Sequence, residues 1–256
     1  MDSAALSQTL PEKIAAAIAD GVILGRYPAG ARLVEAVLVK EYGVSHGPVR
    51  DALRILQSSG LVTINPYRGA EVTALTVSEV KEIYQVRAAL VGLRARWIAE
   101  DESRAALSAQ VDGAISKLGE LAKAPGDAEA YTALSLSINR MLTDSLSNRW
   151  LRTMLQALTL QTSRYTRLAL ASAQRRRESA RLWRTLLSAI EAGNGERAEV
   201  IASTISLATR DAAIRHLQQR EAQPLALNGV ASGRQSRRAT RVQAARVTPR
   251  PEGAHK

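Results

Sequence analysis

Residues 43–62, GVSHGPVRDALRILQSSGLV, combine a helix-start signal with side chains that could contact nucleic acid. At about 100° per residue, the apolar residues of this segment share one helical face: Val49, Ala52, Leu53 and Leu56. The opposite face is polar and carries Arg50, whose guanidinium group can donate two parallel hydrogen bonds to the edge of a guanine. Gly47 and Pro48 keep the start of the helix slim, which favours close approach. The segment is therefore predicted to lie in the major groove of DNA, and a solvated amphipathic helix is the alternative.

The elements before this helix must hold its apolar face. Residues 10–25 are predicted to form a helix because branched apolar residues recur there at four-residue spacing. A turn containing Pro and Gly leads to a second short helix at residues 35–42. Ser45 is expected to cap the third helix by accepting hydrogen bonds from its free amide groups, and Gly60 is expected to end it.

The residues after the third helix predict a two-stranded β-hairpin. The runs LVTI and AEVTAL are rich in β-formers and are separated by NPYRG. Arg68, at the tip of the hairpin beside Gly69, suits contact with a phosphate or with the minor groove. Three helices and this wing make residues 8–74 a predicted winged helix-turn-helix DNA-binding domain.

Residues 75–221 are predicted to form an all-α bundle. Thr76 and Glu79 make a capping-box pattern before a long helix that runs to about residue 100. Five further helical segments follow: residues 103–123, 128–145, 148–171, 174–192 and 195–220. No alternation of strands and helices occurs, so the predicted fold class is mainly α, with the winged domain joined to a helical bundle.

The net charge of +11 favours a polyanionic partner, but the charge is unevenly distributed. Residues 234–256 contain seven Lys or Arg and one Glu. Because periodicity is lost, we predict a disordered basic tail at residues 222–256, which either adds non-specific DNA affinity or is simply solvated. The lack of Cys, of a signal-peptide pattern and of an apolar run of about 18 residues predicts a cytoplasmic protein without a membrane span.

The run PAGARLVEAVLVKEYGVSHGPVRDALRILQSSGLVTINPYRGAEV carries a longer pattern. It closely resembles the N-terminal domain of GntR-family bacterial regulators, which have PG-x-RL-x-E-x-x-LA, then GVSR-x-PVR-x-AL-x-x-L, then GLV and a wing RG-x-x-V. The resemblance and the polar helical face together give nine predicted DNA-binding residues: Arg32, Ser45, His46, Gly47, Pro48, Arg50, Arg54, Arg68 and Gly69. The family usually has Arg where this chain has His46. Because an unperturbed imidazole is mostly neutral near pH 7, we predict a different contact there, with Arg50 carrying more of the recognition.

The second half of the chain resembles the all-helical FCD effector domain of the FadR-type branch of that family, through YQVRAAL, the helix start SLSNRWL and AIEAGNGERA. Many FCD domains bind a divalent metal through one Asp and three His. The matching positions of this chain hold no expected ligand: Ser135, Asn139, Trp183 and Ile205. The three histidines of the chain are too dispersed to meet at one bundle centre. We therefore expect no family-type metal site and no cofactor.

The same resemblance implies an effector pocket around Arg87, which matches a cavity-facing Arg of the family and would suit an organic acid. Val91 stands where the family often has Glu. The candidate pocket residues are Arg87, Ser135, Asn139, Trp183 and Ile205, with Arg140, Arg164 and Arg167 as further candidates. Alternatively, Trp183 and Ile205 fill the centre as core residues.

These expectations describe a DNA-binding transcriptional regulator, most commonly a repressor in this family, that binds a palindromic operator as a homodimer and responds to a small molecule. One alternative is a DNA-binding regulator whose helical domain dimerises and senses no ligand. A remote alternative is an enzyme in the helical domain, although no nucleophile–base pair and no phosphate loop such as G-x-x-x-x-G-K is found in the sequence.

Overall fold

A computed structural model describes residues 8–222, apart from residues 67 and 125. The N-terminal part contains α1 (Leu10–Leu24), β1 (Arg32–Leu33), α2 (Glu35–Tyr42), α3 (His46–Ser58), β2 (Val62–Asn65) and β3 (Gly69–Val72). The rest of the described chain is helical: α4 (Val77–Glu100), α5 (Arg104–Leu121), α6 (Ala128–Asp144), α7 (Arg149–Ala169), α8 (Ala173–Glu191) and α9 (Gly195–Ala222). The predicted fold class, a winged helix-turn-helix joined to an all-α bundle, is confirmed. The predicted basic tail lies outside the described residues, except that residue 222 ends α9.

Helix α1 forms because its two ends and one face are specified locally. The Thr9 side chain accepts a hydrogen bond from the amide of Glu12, and the Glu12 carboxylate accepts one of 2.7 Å from the Thr9 amide, which closes a capping box. Gly25 ends the helix with a φ of 84°, a left-handed conformation that glycine adopts without strain. The apolar residues at four-residue spacing are buried as predicted: Ile14, Ile18 and Val22.

Helix α3 packs its predicted apolar face into the N-terminal core. The buried residues of this face are Val49, Ala52, Leu53 and Leu56. Ser45 occupies the N-cap position, but its side chain makes no capping hydrogen bond, so that prediction is wrong. A capping side chain accepts from the amide of the second or third helical residue, and the third residue here is Pro48, which has no N–H. The proline that shapes the helix start therefore removes one usual partner of the cap.

The predicted hairpin is present, but the sheet has three strands among the described residues rather than two, in the order β1-β3-β2. All pairings are antiparallel, and β1 lies along the free edge of β3 with Leu33 opposite Ala70. The turn before β1 is tied to β3 by a hydrogen bond of 2.9 Å from the Gly30 amide to the Val72 carbonyl. A strand of two residues is too short to show apolar alternation, so the sequence pattern does not reveal it.

The bundle begins at the predicted capping box, in which the Thr76 amide donates to the Glu79 carboxylate at 2.7 Å. Gly193, with a φ of 69°, makes the tight turn between α8 and α9. The largest fully buried side chains of the bundle include four aromatic and several aliphatic residues: Tyr84, Tyr131, Tyr165, Trp183, Leu118, Ile138 and Leu155. None of the described helices is long and apolar enough to cross a membrane.

Helix α7 joins the bundle to the winged domain. The side-chain amide of Gln161 donates to the Ser59 carbonyl at 2.7 Å, and the Tyr165 hydroxyl accepts from the Leu75 amide at 3.0 Å. Leu160 packs against the apolar core of the winged domain. The two domains are therefore held together by directional hydrogen bonds as well as by apolar contact.

The Tyr165 hydroxyl provides a test of this junction. Tyr165→Phe keeps the buried ring and leaves the Leu75 amide without its acceptor, so we expect the free energy of unfolding to fall by about 1 kcal/mol. Urea denaturation followed by circular dichroism measures the change. Tyr42→Phe is the control, because its hydroxyl accepts from the exposed Arg26 side chain, and it should change stability by less than about 0.5 kcal/mol. Equal losses for the two variants would contradict the role of the Tyr165 bond.

Candidate nucleic-acid interface and central cavity

The polar face of α3 is open to solvent. The side chains of His46, Arg50 and Arg54 are 57%, 62% and 74% exposed, respectively. Gly47 lies at the start of the helix, and no atom comes within 4 Å of the position that a Cβ would take there. A DNA backbone or groove can therefore approach this end of the helix closely.

Glu35, the first residue of α2, organises this face. Its Oε2 atom accepts a hydrogen bond of 2.9 Å from Nε of Arg50 and lies 3.7 Å from Nδ1 of His46. Because the carboxylate engages Nε, the two Nη groups of Arg50 remain available for the bidentate contact that fits guanine. Glu35 is not among the predicted site residues. Its place in the family pattern is the signal that marks it, but the contact with Arg50 depends on how α2 and α3 pack.

The other predicted DNA-binding residues lie before α3 and in the small sheet. Ser45 and Arg32 are exposed, and Arg68 and Gly69 are exposed in the turn between β2 and β3 and at the start of β3. Gly69 has a φ of 79° and nothing within 4 Å of its Cβ position, so the tip of the wing is accessible. Of the nine predicted residues, eight are exposed and Pro48 is half-buried.

Four of the five predicted pocket residues line one small cavity between α4, α6, α7, α8 and α9: Arg87, Ser135, Asn139 and Ile205. The cavity has a volume of about 20 Å³, slightly more than one water molecule needs. Trp183 is not among the residues that line this cavity. It is 1% exposed and packs in the bundle core, which agrees with the alternative interpretation of that residue.

The three further arginine candidates lie elsewhere. Arg164 donates to the Thr73 carbonyl at 3.0 Å and stacks over the Tyr165 ring, so it contributes to the junction with the winged domain. Arg140 and Arg167 line a groove beside α1. None of the three lines the central cavity.

A second arginine, which is not among the predicted pocket residues, also lines the cavity. Arg94 is 2% exposed, and its Nη1 atom donates to the Asn139 carbonyl at 3.1 Å and to Oγ1 of Thr143 at 2.8 Å. Its Nη2 atom donates to Oδ1 of Asn139 at 3.2 Å. Arg87 is also buried, and its Nη1 atom donates to Oγ of Ser206 at 3.2 Å. The signal in the sequence is the seven-residue spacing, which places both arginines on one face of α4.

The cavity is electropositive. Burial lowers the pKa of Arg94 to about 9, with the charge of Arg87 as a second cause, and burial also lowers the pKa of Arg87. The Nε atoms of both arginines are buried without a hydrogen-bond partner in the described part of the chain. None of the described residues that line the cavity carries a carboxylate. An anion in the cavity would therefore offset an unfavourable burial of charge.

The side chains at the family's metal-binding positions do not fit a divalent cation. Ser135 and Asn139 offer neutral oxygens, Ile205 offers no donor, and the Asn139 side-chain oxygen already accepts from Arg94. The two guanidinium groups beside them would repel a metal ion. Within residues 8–222 as described, no group of three or more His, Cys, Asp or Glu is placed to hold one.

The chain has an exposed arginine-bearing helix with a wing, and this domain is docked on a helical bundle that contains a polar cavity. This arrangement is that of a two-domain DNA-binding regulator. The model of the bacterial regulatory proteins of the gntR family matches residues 10–72. The model of the FCD domain matches residues 82–221. The chain therefore belongs to the GntR family of bacterial regulatory proteins, in the branch that carries an FCD domain.

Known relatives agree with this assignment. The chain is 30% identical over 138 residues to the uncharacterized HTH-type transcriptional regulator YdhC of Bacillus subtilis, and this match spans 52% of the chain and 58% of that relative. It is 29% identical over 191 residues to a protein of Paenarthrobacter nicotinovorans named "Probable D-xylose utilization operon transcriptional repressor", over 73% of the chain and 82% of that relative. The solved structure of E. coli McbR/YncC has the same fold, with a TM-score of 0.69 at 18% identity over 83% of this chain and 99% of that one. The protein is a DNA-binding transcriptional regulator.

The contact between Glu35 and Arg50 can be tested with DNA that the protein selects from a random library. We expect Arg50→Ala to weaken binding by about 1–3 kcal/mol and to relax discrimination at one base pair. Glu35→Gln should cost less, about 0.5–1 kcal/mol, because Arg50 keeps its charge and loses its charged hydrogen-bond acceptor. Fluorescence anisotropy at fixed ionic strength measures both, with Arg197→Ala on exposed α9 surface as the control. An unchanged affinity in Arg50→Ala would show that this side chain does not meet the bases.

His46→Arg restores the side chain that the family usually has at this position. The new permanent charge should either raise the affinity for all DNA and steepen its salt dependence by about one ion, or shift the preferred sequence. Anisotropy at several salt concentrations separates the two results from each other. If affinity, salt slope and sequence preference all stay the same, residue 46 does not contact DNA.

Proposed function

We propose that this regulator is a ligand-responsive repressor that binds a palindromic operator as a homodimer in the bacterial cytoplasm. Repression is supported by the Paenarthrobacter relative, whose name describes a transcriptional repressor. A cytoplasmic location is supported by the proposed binding of operator DNA, because bacterial genes lie in the cytoplasm.

Exposed apolar side chains on the bundle support self-association. Trp150 is 65% exposed, and Met154, one turn further along α7, is 53% exposed. Trp97 on α4 and Val200 on α9 are exposed as well. Contiguous exposed apolar patches commonly mark contacts with another protein, and Trp150 and Met154 are neighbours on one face of α7. A two-fold dimer carries two copies of α3, and two copies related in this way match a palindromic site.

The cavity supports a response to an anionic effector such as an organic acid. The observation that carries this part of the proposal is that Arg87 and Arg94 line one buried cavity without a carboxylate among the described residues around it. Guanidinium groups are the side chains best suited to bind carboxylates. We further propose that the protein uses no metal or other cofactor, which is supported by the neutral side chains at Ser135 and Asn139.

Helix α7 offers a route from this cavity to DNA. Thr166 of α7 and Leu170, directly after the helix, line the cavity, while Gln161 and Arg164 of the same helix donate to the Ser59 and Thr73 carbonyls of the winged domain. A ligand that shifts α7 would therefore move α3 relative to the bundle. In a dimer such a movement changes the separation of the two α3 helices, and so the affinity for the operator.

The cavity also bears on the two alternative functions of the helical bundle. A bundle that dimerises and senses nothing is favoured by the small cavity volume of about 20 Å³, which accepts a metabolite only after rearrangement. An enzyme is disfavoured because the described residues around the cavity include neither His nor a carboxylate that could act as a base.

DNase footprinting on the DNA upstream of the protein's own gene tests the DNA-binding part of the proposal. We expect a protected near-palindrome, with two chains bound per site by sedimentation velocity. At physiological salt the affinity should exceed that for random DNA by at least about a thousandfold. Binding without sequence preference, or a single chain on each site, would contradict the proposed repressor.

A further inference from the structure

The junction between the winged domain and the bundle contains a groove of about 500 Å³. One wall comes from α1 and α3 of the winged domain, and the other comes from α6 and α7 of the bundle. Within the described chain, Asn139 is the only residue that lines both this groove and the central cavity. Small-molecule sites occupy about 300–1,000 Å³ and are frequent at domain interfaces. The groove therefore has the size and place of a ligand site, and a ligand in it would contact both domains.

Much of the groove wall is apolar. Helix α1 contributes Ala15, Ala16 and Ala19, whose small side chains leave room between the helices. Larger apolar side chains complete the wall: Ile23, Ile55, Leu56, Leu136 and Leu160. Ile55 is 39% exposed, so apolar surface remains uncovered in the groove. The apolar part of a ligand would remove this surface from water, which favours binding.

Two unpaired charges of opposite sign lie on different walls of the groove. Asp20 is on α1 and Arg140 is on α6, and both residues are exposed. Neither side chain has an ion-pair or hydrogen-bond partner among the described residues. The other two carboxylates of the groove are engaged, since Glu12 closes the capping box of α1 and Asp144 accepts from the side-chain amide of Gln156 at 3.0 Å. The groove therefore offers one carboxylate to an ammonium group and one guanidinium group to a carboxylate.

A smaller groove of about 330 Å³ adjoins the first one, and Asp20 and Arg140 line both. It adds one further charge of each sign, from Glu129 and Arg167. A ligand with a single charge would meet attraction and repulsion together at this place. A ligand that carries both charges would meet attraction at each end.

We propose that the groove binds a zwitterion with an apolar side chain, such as an apolar amino acid. The ammonium group of the ligand contacts Asp20, its carboxylate contacts Arg140, and its side chain packs against the alanines of α1. This site is independent of anion binding in the central cavity. Because the ligand bridges α1 and α6, it holds the winged domain in one orientation to the bundle and fixes the position of α3 with it.

Binding to the purified full-length protein tests the site, with leucine, methionine and phenylalanine as probes. We expect at least one of them to raise the melting temperature at millimolar concentration and to give a measurable Kd by calorimetry. Its amide lacks the carboxylate and its deaminated acid lacks the ammonium group, so each should bind at least about threefold more weakly. The proposal is overturned if none of the three amino acids binds. It is also overturned if either derivative binds as tightly as the amino acid, because the groove would then not recognise both charges.

Two charge-removing variants assign the ends of the ligand. Asp20→Asn should weaken the amino acid by at least about threefold and leave the deaminated acid no weaker, because that probe has no ammonium group. Arg140→Met should weaken the amino acid similarly and leave the amide no weaker. Glu102→Gln and Arg197→Met are the matched controls, since they remove exposed charges outside both grooves. Equal weakening by the controls would show non-specific attraction and overturn the assignment.

A third variant fills the groove without removing a charge. Ala16 is exposed on α1, so Ala16→Leu places a larger side chain in the groove without crowding the core. We expect it to abolish binding of the amino acid and of both derivatives. Ala105→Leu, on the exposed surface of α5, is the control and should leave the Kd unchanged. Unchanged binding in Ala16→Leu would place the ligand elsewhere and overturn the site.

Operator binding separates this site from the response to an anion proposed above. If an organic acid releases the protein from its operator while no amino acid binds, the ligand-responsive repressor stands and the groove site falls. If an amino acid binds through Asp20 and Arg140 without changing operator affinity, the site stands and its effect on the position of α3 falls.

Discussion

The structure depends on the docking of α7, because this helix is shared by the part that meets DNA and the part that encloses the cavity. In its second half, Gln161 binds the Ser59 carbonyl of the winged domain and Tyr165 binds the Leu75 amide in the link to α4, while Thr166 and Leu170, which follows the helix directly, form cavity wall. A rigid helix cannot move at one of these places without moving at the other. The buried ring of Tyr165 and the hydrogen bond of its hydroxyl make the link directional. Coupling between the two domains therefore needs no long chain of contacts, since a single element takes part in both.

The docking of α7 stabilises the structure, whereas the two buried arginines of the bundle destabilise it. Burial of a guanidinium group without a counter-charge is unfavourable, and a close-packed apolar pair at Arg87 and Arg94 would commonly be as stable or more stable. Neutral acceptors on α6 and α9 reduce the cost without removing it, as the lowered pKa of Arg94 reflects. A site that is electrostatically incomplete by itself gains more from an anion than a neutral cavity does. The lack of a carboxylate in the described lining is thus a feature that favours ligand binding over stability.

The features that follow from local rules were predictable from the sequence. Four-residue apolar spacing gave the buried face of α1, and the Thr76 and Glu79 pattern gave the start of α4. Features that depend on tertiary contacts were not. The strand β1 exists because two residues meet the edge of β3, and Ser45 fails as a cap because Pro48 offers no amide. The seven-residue spacing places Arg94 on the face of Arg87, but its burial follows from the packing of α6 against α4, which the spacing alone does not reveal.

The two arginine sites use opposite electrostatic arrangements, and the difference follows from solvent. On α3, water screens the charges, so Glu35 can hold Arg50 by its Nε atom while the outward Nη groups keep their attraction for DNA. In the bundle there is little screening, and a carboxylate beside Arg94 would cancel the charge of that arginine and oppose an incoming anion. Asn139 instead orients Arg94 with a neutral oxygen that an anion can replace. At the exposed helix α3, the ion pair between Glu35 and Arg50 is therefore compatible with DNA binding. In the buried cavity, the hydrogen bond from Arg94 to Asn139 must be weaker than the bond from Arg94 to an incoming anion.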